Sequence, residues 1–290
     1  MAESTKKKEE FLSSNFKDRL ITASFLITAL ILVLVFGDII GVQVIVLFAA
    51  GISYYEYFNM VFKDESYLYH KWVGAALGML LMFFLVSGYE QYLFHVITVT
   101  ILVLFFFYLG FASLRTLRQA HHVELVRELS LSFFGIFYVC VLLSYFVFIR
   151  RLPEGYKWII LVLGISWLSD TGGYWCGKVF GTKKLMPVIS PHKTVEGAFG
   201  SVAFAVVASI FISYFLLRDR MTLSSAIFLG GVGSFCAQLG DLCESLLKRN
   251  FSVKDSGNVI PGHGGMLDCI DSVLFVAPLI YLYNKVFLGL

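Results

Sequence analysis

The sequence predicts an all-α integral membrane protein with about nine transmembrane helices. Of its 290 residues, 58% are hydrophobic and only 15% are charged, and the mean hydropathy is +0.79. Soluble domains carry about a quarter of their residues as charged side chains, so most of this chain is expected to lie in lipid. The aromatic fraction of 17% suits rings that contact acyl chains and both membrane interfaces. The same composition excludes a disordered chain and a coiled coil.

Apolar runs of membrane-spanning length follow one another along the chain. A helix needs about 20 apolar residues to cross the hydrocarbon core of a bilayer. The runs lie near residues 20–36, 39–61, 72–88, 92–111, 130–149, 157–175, 197–217, 223–247 and 270–288. The sixth and eighth runs meet polar residues before they would reach the far side. We therefore expect a polar N-terminal segment at 1–19, N-terminal transmembrane helices at 20–149 and a C-terminal region at 150–290 that carries the polar residues.

The placement of basic residues predicts the orientation in the membrane. Lys and Arg are enriched in short cytoplasmic loops. Here they favour the N-terminal segment and every second connection, so residues 1–19, 176–196 and 248–269 are expected to be cytoplasmic. Arg150 and Arg151 would then face outward, against the rule.

Charge and cysteine content exclude two further classes of protein. A net charge of +3 is too small and too dispersed for a nucleic-acid surface. The five cysteines have no zinc-site spacing and are odd in number, so we expect reduced thiols rather than a disulfide framework. The polar, Lys-rich start of the chain lacks the short apolar core of a removable signal peptide.

A polar stripe runs along the eighth apolar segment. It consists of Ser234, Gln238, Asp241, Ser245 and Lys248. Steps of three and four residues place these side chains on one face of a helix, and Glu244 is close enough to join them. Ionisable groups are unfavourable in lipid unless they face a cavity or partners, so the stripe predicts a functional site. The plainer interpretation is a hydrogen-bonding seam between helices, which uses Ser and Gln freely but seldom Asp.

A glycine-rich stretch at residues 261–265 precedes the last apolar segment, and two acids follow it. Such a stretch offers backbone N–H groups to anionic oxygens, although alone it is a weak signal. Asp268 and Asp271 are three residues apart and share one face of the entering helix. Acids at a helix N-terminus are also favoured by the helix dipole alone. Together with Asp241, however, they suit a hard cation such as Mg²⁺ that also contacts substrate phosphates.

A third polar region lies between the sixth and seventh apolar segments. It contains Ser-Asp-Thr-Gly-Gly-Tyr at 169–174, Lys183 and Lys184, and Ser-Pro-His-Lys-Thr-Val-Glu-Gly at 190–197. Lysines act as point charges for phosphate, and a hydroxyl-rich turn that opens a helix offers free N–H donors. Ordinary helix capping and a solvated loop explain part of the same pattern.

These motifs resemble the signature of the phosphatidate cytidylyltransferase family. The resemblance rests on Ser-Leu-Leu-Lys-Arg at 245–249, Lys-Asp-Ser-Gly at 254–257 and Pro-Gly-His-Gly-Gly-Met-Leu-Asp at 261–268, with a final acid at Asp271. Gln-Leu-Gly-Asp at 238–241 and the stretch at 190–197 are similar to two further family motifs. The likeness covers roughly residues 168–272. The chain departs from it at Cys269, where the family usually has Arg.

The resemblance implies a multi-helix membrane enzyme that joins CTP to phosphatidic acid. The products would be CDP-diacylglycerol and pyrophosphate, a nucleotidyl transfer in phospholipid biosynthesis that requires Mg²⁺, with a second cation also compatible. It further implies that the C-terminal region at 150–290 is catalytic, that the protein often forms a homodimer, and that its partners are CTP, phosphatidic acid and the bilayer. We expect a bacterial-type cytoplasmic (inner) membrane with the site facing the cytoplasm.

The expected roles of the site residues follow from this reaction, in which crowded negative charge must be positioned and neutralised. The metal ligands are expected to be Asp241 and Asp268, supported by Asp271 and Glu244. The catalytic set is expected to be Asp241, Asp268, Lys248 and Lys193. Substrate-binding residues are expected to be Asp170, Ser190, Lys193, Thr194, Glu196, Ser245, Lys248, Arg249, Lys254, Asp255, His263, Gly264 and Gly265.

Two alternatives stay open at this point. One is a related CTP-dependent lipid transferase or kinase that acts on a polyprenol or an archaeal lipid, which differs in the pocket for the lipid tail. The other is a membrane transporter. Transporters usually carry interrupted helices in both halves of the chain, whereas the polar residues here are concentrated in the C-terminal part.

Overall fold

The structure is a computed structural model that describes residues 24, 28–63, 68–88, 92, 95, 97–106, 122–260 and 264–290, without the side chains of 68–71 and 122–125. The labelled helices are α1 Ile39–Val61, α2 Leu68–Val86, α3 His122–Gly135, α4 Leu142–Arg151, α5 Gly155–Phe180, α6 Val195–Leu216, α7 Leu223–Asn250 and α8 Met266–Phe287. A π-helical stretch, Ile136–Val141, joins α3 to α4. Residues 28–36 and 97–106 are also helical.

Five helical segments within the described part of the chain are long and apolar enough to cross a membrane. They are Ile39–Val61, Val126–Arg151, Val195–Leu216, Leu223–Asn250 and Met266–Phe287. Shorter apolar helices lie at Trp72–Val86 and Ile97–Phe106. The predicted run at 157–175 is helical as part of α5, but α5 is not among the five. A mainly helical membrane protein is therefore confirmed, whereas the number of nine spans stays a prediction.

Short polar side chains define where several helices begin. The carboxylate of Asp38 accepts a hydrogen bond from the Ile39 N–H at the start of α1, at 2.8 Å. Thr194 caps α6 by accepting from the Gly197 N–H at 3.1 Å, and Thr222 caps α7 by accepting from the Ser225 N–H at 3.2 Å. Such caps satisfy N–H groups that lack a partner within the helix.

Small residues allow α5 and α6 to pack closely. A Cβ atom added to Gly172 would lie 2.6 Å from the Gly200 carbonyl oxygen, and one added to Gly200 would lie 2.3 Å from Cys176 Cβ. Helix α7 packs against both α6 and α8, and α8 also contacts α1 and α4. Small residues at helix contacts are typical of membrane bundles, where close backbone approach replaces the hydrophobic effect.

The prediction of an all-α fold is wrong in one detail, because a β-hairpin lies between α5 and α6. Strand β1, Lys184–Met186, pairs antiparallel with β2, Ser190–Thr194, and Lys184 lies opposite Thr194. The chain leaves the end of α5, turns back and begins α6 beside α5. The two strands of this connection therefore run antiparallel and pair with each other. The hairpin replaces the expected open loop. All five cysteines are free thiols, as predicted.

Candidate active site

The polar side chains gather in two neighbouring groups where α5, α7, α8 and the hairpin meet. We call the first the Lys193 cluster, which consists of Asp170, Lys193, Asp241, Ser245, Asp271 and Ser272. We call the second the Asp268 cluster, which consists of Glu56, Glu244, Lys248, Ser256 and Asp268. Residues from distant parts of the sequence thus form one polar region.

An ion pair between the hairpin and α7 lies in the Lys193 cluster. Lys193 Nζ is 2.5 Å from Asp241 Oδ2, and Ser245 Oγ donates to Asp241 Oδ1 at 3.3 Å. The two charged side chains are 24% and 32% exposed, so water and a ligand can reach both. The pair therefore offers one positive and one negative group at an accessible position.

Three carboxylates from three helices share this cluster. Asp170 of α5, Asp241 of α7 and Asp271 of α8 lie near enough to repel one another electrostatically. Ser272 Oγ donates to Asp170 Oδ2 at 3.2 Å, and the Ser272 N–H donates to Asp271 Oδ1 at 2.5 Å. The backbones of α7 and α8 touch here, because a Cβ on Gly240 would lie 2.3 Å from the Asp271 carbonyl oxygen. Mutual repulsion of this kind is relieved when a cation binds.

Lys248 lies at the centre of the Asp268 cluster. Its Nζ is 2.6 Å from Glu244 Oε2 and 2.7 Å from Asp268 Oδ1. The second oxygen of Asp268 accepts from the Ser256 N–H at 2.9 Å, from Ser256 Oγ at 2.9 Å and from the Gly265 N–H at 2.8 Å. Both oxygens of Asp268 are therefore held by the protein, and they fix the path of the chain between α7 and α8.

Asp241 and Asp268 have different partners in the structure. The first pairs with Lys193, and the second pairs with Lys248. Sequence spacing placed both acids near the same site, but it did not show which cation each side chain faces. The expectation that they share a metal ion stays a prediction.

The acids fit a hard cation that takes its other ligands from substrate. Among the described residues, no three His, Cys, Asp or Glu side chains converge on a point that could hold a metal ion. Mg²⁺ is usually held by only one or two carboxylates together with substrate phosphates. The carboxyl oxygen Oε1 of Glu244 is buried, and none of the described residues gives it an N–H or O–H donor within hydrogen-bond distance. Oxygen ligands of this type match Mg²⁺ better than a softer metal.

A cavity of about 400 Å³ opens beside the Lys193 cluster. Its polar lining includes Asp170, Lys178, His192, Lys193, Gln238 and Asp241. This volume is within the range of small-molecule sites, and the lining provides both cations and carboxylates. His192 and Lys178 had no expected role, yet both lie on the cavity wall.

The polar stripe of α7 is confirmed, and its two parts lie in different surroundings. Gln238 Nε2 donates to Ser234 Oγ at 3.2 Å within the stripe. Ser234 Oγ is also 2.8 Å from Ser169 Oγ of α5, a buried seam between two helices. Further along, Gln238 and Asp241 face the cavity. The seam interpretation thus applies to the part of the stripe at Ser234, and the functional interpretation of the part that lines the cavity stays a prediction.

The remaining predicted residues mostly shape the hairpin and the connection after α7. Glu196 accepts from Thr182 Oγ1 and from the Lys183 N–H, which ties the base of the hairpin to α6. Arg249 Nε donates to the Ile189 carbonyl at 3.5 Å. Thr194 caps α6 and also lines the cavity.

Other predicted residues lie in β2 and in the connection between α7 and α8. Ser190 is the first residue of β2 and is half-buried, whereas Lys254 and Asp255 are exposed. Gly264 has φ +96°, which favours glycine, and a Cβ there would lie 2.8 Å from Asp268 Oδ2. His263 falls outside the described residues, as do Pro261 and Gly262.

Sequence reasoning missed several residues in or beside the polar region, and two of them, Glu56 and Tyr138, are buried. Glu56 of α1 is only 3% exposed, and its side chain reaches the start of α8. An acid within an apolar run is itself a signal of function, so Glu56 could have been found. Tyr138 lies in the π-helical stretch, where its buried hydroxyl has no hydrogen-bond partner among the described residues and its ring contacts Phe275 of α8. No sequence pattern reveals a π-helical stretch, although such stretches recur at functional sites.

Comparison with known proteins gives one family match and several relatives. A model of the cytidylyltransferase family matches residues 17–287. The chain is 44% identical to the phosphatidate cytidylyltransferase of Bacillus subtilis strain 168 over 154 residues, which is 52% of this chain and 56% of that relative. The enzyme of the same name from Staphylococcus epidermidis strain RP62A is 42% identical over 138 residues, 48% of this chain and 53% of the relative.

A relative in a third organism gives the same result. The phosphatidate cytidylyltransferase of Staphylococcus aureus strain COL is 43% identical over 140 residues, 48% of this chain and 53% of the relative. The chain thus spans about half the length of these curated relatives. The family match covers nearly the whole chain, including every described element of the polar region. This chain belongs to the cytidylyltransferase family.

Proposed function

We propose that this protein is a phosphatidate cytidylyltransferase, which converts CTP and phosphatidic acid into CDP-diacylglycerol and pyrophosphate. Membership of the family and the printed names of three relatives support the proposal. The observation that carries it is the ion pair of Lys193 and Asp241 on the wall of a cavity of about 400 Å³, beside two further carboxylates. Cationic side chains bind phosphate groups, and carboxylates bind the Mg²⁺ ion that accompanies substrate phosphates.

The reaction requires positioning and charge neutralisation rather than a strong base. A phosphate oxygen of phosphatidic acid attacks the α-phosphorus of CTP, and a new P–O bond forms there. The bond from the α-phosphorus to the bridging oxygen of the β-phosphate breaks, and pyrophosphate leaves with that electron pair. The nucleophile is already an anion near neutral pH, so the protein has to hold several negative groups in line.

Asp241 is proposed to hold Mg²⁺ together with substrate phosphates, with Asp271 and Glu244 as nearby support and Asp170 in the same cluster. Asp268 remains in this proposed set, although in the structure its oxygens are held by Lys248, Ser256 and Gly265. The chemistry that bound Mg²⁺ supplies is neutralisation of the triphosphate and polarisation of the leaving oxygen.

Lys193 is proposed to bind substrate phosphate by exchanging its partner. In the structure its ammonium group pairs with Asp241. Asp241 would hold the cation, and Lys193 Nζ would donate to a phosphate oxygen in the same cavity. Lys248 is held by two carboxyl groups, so its proposed contribution is to keep Asp268 and Glu244 in place as well as to attract phosphate.

The finer description of the membrane topology belongs to the same proposal. We propose about nine transmembrane helices in a bacterial-type cytoplasmic membrane, with the cavity facing the cytoplasm, where CTP is present. A homodimer and direct contact with the bilayer are part of the proposal. Apolar side chains near the cavity, such as Tyr174 at 62% exposed, provide a surface for the acyl tails of the lipid substrate.

A direct assay tests the proposal. Purified protein in detergent is incubated with radiolabelled CTP and phosphatidic acid, with Mg²⁺ or with a chelator, and the lipid product is identified. We expect labelled CDP-diacylglycerol only with Mg²⁺ and phosphatidic acid together. Label transferred only to a polyprenol or an archaeal lipid would instead support the related transferase or kinase. Lack of transfer to any lipid, with transport of a solute by reconstituted vesicles, would support the transporter.

A further inference from the structure

We infer that α1 holds the connection between α7 and α8 in place, a role that we call a brace. Glu56 and Lys63 are the positioning residues for this connection. The two side chains hold opposite ends of the connection between α7 and α8, which runs over residues 251–265. The inference rests on the proposed function for its effect on catalysis, but the geometry of the brace is independent of that function.

Glu56 holds the start of α8. Its Oε1 accepts from the Met266 N–H at 3.0 Å, and its Oε2 accepts from the Leu267 N–H at 2.9 Å. These N–H groups belong to the first turn of α8 and have no partner within the helix. An acidic group at this position also interacts favourably with the positive end of the helix dipole. The side chain is only 3% exposed, so water cannot easily replace it.

Lys63 holds the other end of the connection. Its Nζ donates to the Phe251 carbonyl oxygen at 2.5 Å, just after the last turn of α7. Cationic groups are favoured at this negative end of a helix. Glu56 lies near the C-terminal end of α1, and Lys63 directly follows Phe62, the C-cap residue of that helix. The C-terminal end of α1 and the residue after its cap thus contact both helix ends that bound the connection.

Two glycines of the connection lie close to Glu56. A Cβ on Gly257 would lie 2.4 Å from Glu56 Oε1, and a Cβ on Gly265 would lie 2.7 Å from Glu56 Oε2 and closer still, at 2.2 Å, to Ser256 Oγ. The φ angles of these two glycines are not positive. Glycine is therefore favoured at both positions by the close approach of other atoms and not by backbone strain. The connection is shaped to admit the carboxyl group of α1.

The brace reaches the site through the first turn of α8. Met266 and Leu267 precede Asp268, whose Oδ2 accepts from the Gly265 N–H and whose Oδ1 pairs with Lys248. If the first turn of α8 loosens, Asp268 and Lys248 lose their fixed positions. Glu56 does not line the cavity, so it acts on the site through these residues and not on bound nucleotide.

The test uses the full-length protein in detergent and compares Glu56→Gln with the parent. Glutamine keeps the size of the side chain but has one acceptor oxygen, and its NH₂ group faces a backbone N–H donor. We expect hydrogen–deuterium exchange of the Met266 and Leu267 amides to accelerate at least about 10-fold, the size of effect that loss of a charge-assisted hydrogen bond produces. Amides of α5 and α6 should exchange at the parent rate.

A second variant and a control complete the design. Lys63→Met should accelerate exchange around Phe251 rather than at the start of α8. Asp219→Asn removes an exposed acid in the turn before α7 and should leave both regions unchanged. In steady-state assays, Glu56→Gln should lower kcat at least about 10-fold and leave KM for CTP within about 3-fold.

Several outcomes would overturn the inference. Unchanged exchange at Met266 and Leu267 in Glu56→Gln would show that the contact does not hold the helix start. A loss that appears only in KM for CTP would show that Glu56 acts on nucleotide binding. If the parent forms no CDP-diacylglycerol, the proposed function fails, and the exchange measurements still decide whether α1 braces the connection.

Discussion

Replacing Asp241 with asparagine should separate catalysis from folding. The variant keeps the shape of the side chain and its hydrogen bond with Ser245 while removing the charge that pairs with Lys193. The two paired side chains are 32% and 24% exposed, and ion pairs that solvent can reach contribute at most about 1 kcal/mol to stability. The free energy of unfolding should therefore change by no more than about this amount.

The expected effect on activity is much larger. Removal of one major electrostatic contributor to a transition state lowers turnover by at least about 100-fold, which is about 2.7 kcal/mol. Asp170, Asp241 and Asp271 lie near enough to repel one another, and we propose that this group attracts the cation. Loss of one carboxylate should weaken metal binding, so part of the lost activity should return at raised Mg²⁺.

The assay measures CDP-diacylglycerol formation by equal amounts of folded protein across a Mg²⁺ titration. Thermal unfolding in the same detergent measures stability, and Asp219→Asn is the control for removal of an acid far from the cavity. A near-normal rate for Asp241→Asn would refute the reasoning. Loss of folded protein in proportion to lost activity would also refute it, because the ion pair would then be structural.

Three further predictions concern the α7–α8 connection and the orientation of the site. Asp268→Asn should lower both activity and stability, the latter by at least about 2 kcal/mol, because its ion pair with Lys248 is only 11% and 13% exposed and a buried cation would lose one of its two carboxylate partners; unchanged thermal unfolding would contradict this. Cys269→Arg, which introduces the usual family residue, should not lower turnover, because the flanking acids can pair with the guanidinium; an inactive but folded variant would contradict it. Cysteines introduced at Lys183 and at Ser256 should resist an impermeant thiol reagent in intact cells, and their labelling from outside would overturn the proposed topology.

Most helix positions could be predicted because apolar length is a strong signal in a membrane chain. The run expected at 39–61 coincides with α1, Ile39–Val61, and the run at 223–247 lies within α7, Leu223–Asn250. The stripe on α7 could also be predicted, because helical periodicity fixes which side chains share a face. The surroundings of the stripe depend on which elements pack against each turn of α7, and they are a helix–helix seam at Ser234 and a cavity wall at Asp241.

The pairing of charges could not be predicted from spacing. Lys193 reaches Asp241 because the chain after α5 folds back as a hairpin, and neither strand has the apolar alternation that predicts β-structure. Lys248 forms an ion pair with Asp268, so Asp241 and Asp268, which were expected to share a cation, have different partners. Such choices depend on tertiary contacts between distant segments, which motif spacing does not encode.

Glu56 is a residue whose sequence signal was present but overlooked. Its place in an apolar run indicated function, but the sequence contains no sign of its partner, which lies more than 200 residues further along the chain at the start of α8. Tyr138 gave no signal, because the local change to π-helical geometry depends on packing between helices.

The proposed activity is transfer of a cytidylyl group to phosphatidic acid, with Mg²⁺, at the cavity beside Lys193. The most direct measurement is the formation of labelled CDP-diacylglycerol by the purified parent protein from CTP and phosphatidic acid, with Mg²⁺ and with a chelator. We predict product that depends on both lipid and Mg²⁺ and that is absent with the chelator. Folded protein that forms no CDP-diacylglycerol with Mg²⁺ present, or that forms it equally well with the chelator, would contradict the account.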